Sequence, residues 1–192
     1  MTNLLDRRLG AAPVSVSDDF FAACEDLTNP APAIFDAERF TDRGKWMDGW
    51  ESRRRRVPGH DWCILRLGHL GTLHGFDIDT AHFLGNHPPY ASIEACRVET
   101  DGDLDTATWT EIVPQVALRA GSHNYVGTTA LGPFTHVRLN IFPDGGVARL
   151  RAYGVARAAD TERPTDAVFD VAALENGGQA VACSDMFFGR AE

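Results

Sequence analysis

The sequence predicts an all-β protein, an antiparallel jelly-roll β-sandwich, and three observations carry that expectation. Segments of strand length recur along the chain. The clearest is Phe134–Phe142, where Val137, Leu139 and Ile141 alternate with an outward set of His136, Arg138 and Asn140. Turn chemistry separates such segments: Pro58-Gly59 and Pro143-Asp144-Gly145-Gly146 place fixed-φ and positive-φ residues where a chain reverses. The longest apolar runs are no longer than a strand, and many short strands divided by turns are the pattern of a sandwich or jelly roll.

Taken in order, residues 9–16 suit a strand, and Ser17 or Asp18 can cap one helical turn through Ala22 and Ala23. The proline-rich stretch 29–36 must run extended or turn. Residues 40–50, dense in Gly, Asp and Trp, have no clean period and read as a long ordered loop. Beyond the arginine run 53–56, strands are expected over 61–67, 71–80 and 91–98. The acidic stretch 99–106 reads as an exposed loop. Further strands are expected over 109–113, around Tyr125, over 134–142 and over 147–155.

A composition rich in Ala, Arg, Asp, Thr and Pro then reads as a linker over 157–167. Residues 177–192 can be laid over residues 10–25 without a gap. Gly177 falls on Gly10, Ser184 and Asp185 on Ser17 and Asp18, and Phe187 and Phe188 on Phe20 and Phe21. The match predicts one domain over 1–156 and the beginning of a second, truncated copy over 168–192.

Composition excludes several classes. Hydrophobic residues at 44% and charged residues at 23% describe a globular chain. A net charge of -9 repels phosphate, so nucleic acid is not an expected partner. No apolar run is long enough to cross a bilayer, and the first residues lack the apolar core of a secretory signal. Cys24, Cys63, Cys96 and Cys183 show no CxxC spacing and read as reduced small hydrophobes, which suits the cytoplasm.

The stretch 76–89, FDIDTAHFLGNHPP, begins with strand alternation and breaks after Thr80 into His82, Gly85, Asn86, His87 and a proline pair. Polar chemistry held at the end of a strand is where sites tend to be built. Three blocks then carry a resemblance: Asp48-Gly49-Trp50-Glu51-Ser52-Arg53-Arg54, Asp79-Thr80-Ala81-His82-Phe83 with Gly85-Asn86, and Pro143-Asp144-Gly145-Gly146-Val147-Ala148-Arg149. In order and spacing they resemble the signature blocks of the allantoicases, over residues 14–154. The resemblance implies a galactose-binding-like jelly roll that hydrolyses allantoate to ureidoglycolate and urea in purine breakdown. Family members usually carry two full repeats, whereas this chain shows one and the first strand region of another. A homo-oligomer is therefore expected.

Releasing urea from allantoate needs a cation for the substrate carboxylate, an acid, a base and amide-type partners for the ureido groups. On this resemblance Arg53 and Arg149 are candidates for the carboxylate clamp, a structural ion pair being an equal alternative for Arg149. Arg54 to Arg56 are assigned to a solvated or interface face. Glu51 and Asp48 lie in an aromatic-rich stretch where burial can raise a carboxyl pKa, though Asp48 could simply cap the Gly49 turn. His82 is the candidate proton-transfer group, with Asp79 three residues before it, and Asn86 the candidate for a ureido group. His87 reads as structural. Asp144 is a binding candidate for which the turn-forming reading is the stronger. A divalent cation held by Asp77, Asp79, Glu94 and Asp144 is left open. Two other classes stand beside the enzyme: a non-catalytic ligand-binding jelly roll and an inactive truncated product.

Overall fold

The computed structural model describes residues 1–157 and, beyond them, residues 170, 172, 178, 180 and 183–185. The expected linker over 157–167 and second copy over 168–192 therefore lie, apart from those isolated residues, outside the described residues. Strands β1 (Thr2–Asn3) and β2 (Ala12–Val16) open the chain, followed by β3 (Phe40–Thr41), β4 (Gly44–Lys45) and β5 (Trp50–Glu51). Next come β6 (Asp61–Asp79), β7 (Tyr90–Cys96), β8 (Thr110–Ala117) and β9 (His123–Gly127). The series ends with β10 (Phe134–Phe142), β11 (Gly146–Val147) and β12 (Arg149–Ala156). Short 3-10 turns occupy Arg7–Leu9, Cys24–Thr28 and Asp101–Asp103.

The two strands expected over 61–67 and 71–80 are one strand of 19 residues. Over its first half β6 pairs with β2 and β10, for example Cys63 opposite Val16 and Leu139. Over its second half it pairs with β12 and β9, with Asp77 opposite Arg151 and Tyr125. The change of partners falls around Gly68 and Gly71, where one expected strand gives way to the next. A Cβ on Gly68 would stand 2.6 Å from Leu9 Cβ, and one on Gly71 would meet Leu4 Cδ1, so only glycine lets the strand cross there.

Two layers follow, β2-β6-β10-β7-β8 and β1-β12-β6-β9, with β6 common to both. Between them Leu65, Ile93, Val137 and Leu139 meet Leu73, Phe76, Ile78 and Leu150 in one buried cluster. Each such side chain contributes about 1.5–3 kcal/mol by leaving water. The result is an all-β, galactose-binding-like jelly-roll sandwich.

Several local expectations are corrected. Residues 7–9 form a 3-10 turn closed by Gly10 at φ 87°, and the first core strand begins only at Ala12. No helical turn runs from Ser17 through Ala22 and Ala23; the 3-10 turn begins only at Cys24. Instead the Ser17 hydroxyl and N–H bind β6 at Asp61 and Trp62, while Asp18 accepts from the Phe20 and Arg53 N–H groups. The stretch 40–50 contains the β3–β4 hairpin. On β10 the outward His136 and Asn140 are buried, covered by Asp101 and by Glu94 with Ser92.

Candidate active site

The three sequence blocks meet at one end of the sandwich, where the chain passes between the layers. β5 and β11 pair, with Gly146 opposite Glu51 and Val147 opposite Trp50. The turn before β11 then packs on the loop that follows β6, and the Gly146 N–H donates to the Asn86 carbonyl at 2.8 Å. A Cβ on Gly145 would lie 2.7 Å from Asn86 O and Pro88 N, and one on Gly49 2.6 Å from Ala148 Cα. The glycines of the blocks are thus where one block's backbone touches another's.

Between these loops lies an open cleft of about 650 Å³, walled by Glu51, Ser52, Arg54, Arg55, Asn86, His87 and Asp144, with Phe21 at its rim. The Asn86 amide donates to Glu51 Oε1 at 2.7 Å. Burial raises the Glu51 carboxyl above its ordinary value, and the Asn86 hydrogen bond offsets only part of that. A carboxyl so placed can hold a proton and yield it.

The structure divides the candidates chosen from sequence. Glu51, Asn86 and Asp144 come together in the cleft. Asp144 accepts the Arg55 N–H at 2.7 Å, which fixes the arginine run. Arg53 turns away, pairing with Asp18 and covering the Phe20 ring.

Arg149 is fully buried and its Nη2 donates to both Asp48 oxygens at 2.8 Å, while Asp48 also accepts the Ile34 N–H. That pair lies outside the cleft lining and ties β12 to the segment before β5. Asp79 is buried, accepting the Ala81 N–H at 2.8 Å and facing His123 at 3.8 Å. His82 is also outside the cleft. Its backbone sits at φ 69°, and its exposed ring stacks on Phe35 with Nε2 3.2 Å from the Ala33 carbonyl.

The four carboxylates considered for a cation are not brought together, since Glu94 is bound by Arg138 and Asn140 and Asp144 by Arg55. Among the described residues, Asp19, Cys24 and Glu25 are the group whose donor atoms lie within 4.8 Å of one another. Ser52, Arg54, Arg55 and His87 line the cleft although the sequence reading did not place them there. Neighbouring arginines sending their side chains to different partners is the alternation of an extended run, a signal present in residues 53–55.

A two-layer jelly roll with an open cleft among its end loops is a galactose-binding-like domain. It resembles the chitosan-binding module 1 of a chitosanase/glucanase from Paenibacillus sp. IK-5, at 16% identity and a TM-score of 0.52 over 80% of this chain and 100% of that one. Likeness at that identity concerns the fold alone. Residues 2–157 match the family model of the allantoicase repeat, and the chain belongs to the allantoicase family. A probable allantoicase of Stutzerimonas stutzeri is 51% identical over 98% of this chain and 57% of its own length. Probable allantoicase 1 of Burkholderia mallei is 49% identical over 98% and 56%. The crystal structure of allantoicase from Saccharomyces cerevisiae matches at 37% identity and a TM-score of 0.69, over 80% of this chain and 48% of that one. The chain spans about half the length of the curated relatives it matches.

Proposed function

We propose that this chain carries the hydrolytic site of an allantoicase, converting allantoate and water to ureidoglycolate and urea in purine catabolism. The observation that supports it most is the Glu51 carboxyl, raised by burial and held by Asn86, in the cleft where the three blocks meet. In this reading protonated Glu51 delivers its proton to the leaving ureido nitrogen as the carbon–nitrogen bond breaks. The carboxylate so formed takes a proton from the water whose oxygen bonds to that carbon, which restores the acid. With one Asn86 N–H committed to Glu51, its Oδ1 and second N–H are the groups that hold a ureido group.

Asp48, Asp79, His82 and Arg149 act from outside the cleft lining, as positioning residues for the loops that form it. Residues 1–156 make up one repeat, 157–167 a linker and 168–192 the opening of a second. The protein works as a cytoplasmic homo-oligomer on a small-molecule substrate. Cys24, Cys63 and Cys96, buried as free thiols, support the reducing compartment.

The test is urea release from allantoate by the purified chain, assayed with EDTA and with Mn²⁺. Turnover that falls about 10²- to 10⁴-fold in Glu51→Gln is the expected result. Undiminished turnover in that variant, or none from well-folded wild-type protein, overturns the reading.

A further inference from the structure

The proposed reaction needs a cation for the substrate carboxylate, and the two arginines first considered are spent elsewhere: Arg53 on Asp18 and Arg149 on Asp48. Arg55 lines the cleft, but its Nη1 is bound to buried Asp61 at 2.8 Å and its guanidinium lies against Gly59. Arg54 remains. It is exposed, it lines the same cleft as Glu51 and Asn86, and its side chain makes no hydrogen bond or ion pair among the described residues.

Its backbone is nonetheless fixed on both sides. The Arg53 N–H donates to Asp18 Oδ1 at 2.8 Å and the Arg55 N–H to Asp144 Oδ2 at 2.7 Å. Two carboxylates therefore pin the run, and each neighbouring guanidinium already holds a carboxylate, although Arg55 Nε is buried without a partner. The geometry points to Arg54 as the residue that recognises the ligand's carboxylate and so sets the cleft's specificity for small anionic ureides, with Asp144 as its positioning residue. A guanidinium fork matches a carboxylate through two parallel N–H donors, and one arriving without a protein partner loses no ion pair on binding.

This inference rests on the cleft being the allantoate site, and the test separates the two. Ureidoacetate carries a carboxylate and one ureido group but no aminal carbon, so it reports binding without turnover. Its neutral amide is the control. NMR titration of the wild-type chain should shift cleft resonances with ureidoacetate and far less with the amide. Arg54→Gln should weaken ureidoacetate roughly 10- to 150-fold, the range for a hydrogen bond to a charged group, and erase the preference over the amide. Arg54→Lys should restore part of it, as a point charge without the fork.

In turnover assays Arg54→Gln should raise KM for allantoate with little change in kcat, the reverse of Glu51→Gln. Carboxylate preference surviving in folded Arg54→Gln, or moving with Arg53→Gln instead, overturns the inference. Arg54-dependent ureidoacetate binding without any allantoate turnover upholds the anion site and sinks only the hydrolytic reading.

Discussion

At Glu51 the burial of a single carboxyl ties stability to pH. Its carboxyl, ordinarily near 4.5, is raised by burial, so folding favours the protonated form. The sign follows from linkage: the contribution is complete below the unfolded-state pKa and is lost as pH rises through the folded one. Above that folded-state pKa the chain holds a desolvated charge there. Glu51→Gln keeps an oxygen for Asn86 and removes that charge. The variant should therefore gain on wild type in urea as pH rises through the folded-state pKa of Glu51, with the advantage vanishing as pH falls below 4.5, as denaturation curves across pH will reveal. Asp18 behaves oppositely. Burial pushes its carboxyl up, but hydrogen bonds from the Arg53 backbone and side chain outweigh this and hold it below 3.8. Its contribution is present above the unfolded-state pKa and fades as pH falls through the folded one.

Between elements, the contacts that assemble the cleft are of two kinds. The Asp48–Arg149 pair is buried, and Arg149 also donates to the carbonyls of Ala31, Asp48 and Ala148. Removing one partner strands the other without water, so Arg149→Met should cost about 3–5 kcal/mol in chemical denaturation. Gly145 is the second kind. An added methyl must push the 143–146 turn off the 86–88 loop, and Gly145→Ala should lose about 1–3 kcal/mol while lowering kcat/KM through displaced Asn86.

Sequence pattern foretold the blocks but not the division of labour among them. Arg149 and His82 are the residue types that the chemistry asks for, yet partners distant in the chain, Asp48 for one and Phe35 for the other, decide where each ends up. Glu51 and Asn86 were legible because both belong to loops held by glycine contacts within the blocks themselves.

At the scale of the whole molecule, the order of strands could be read and the joining of the layers could not. Gly68 falls between two expected strands and Gly71 at the start of the second, whereas both let one strand cross between layers beneath Leu9 and Leu4. His136 and Asn140 read as solvent-facing because the residues that cover them, Asp101 and Glu94, come from other strands and turns. Since both layers share β6, neither can open alone. Hydrogen exchange should find the paired amides of 61–66 and 71–79 equally slow, both released only in global unfolding. Different opening free energies for the two halves would contradict this.

That shared strand also has a mechanical meaning. Two separate sheets can slip past one another by a sliding of their inner faces, which is one of the ways in which domains admit a ligand. Here such shear is resisted by covalent bonds, because slip would have to bend β6 at its tightest point of contact. Any opening of the cleft therefore falls to the loops that rim it, the kind of segment that moves over roughly nanoseconds to microseconds, against an unyielding frame.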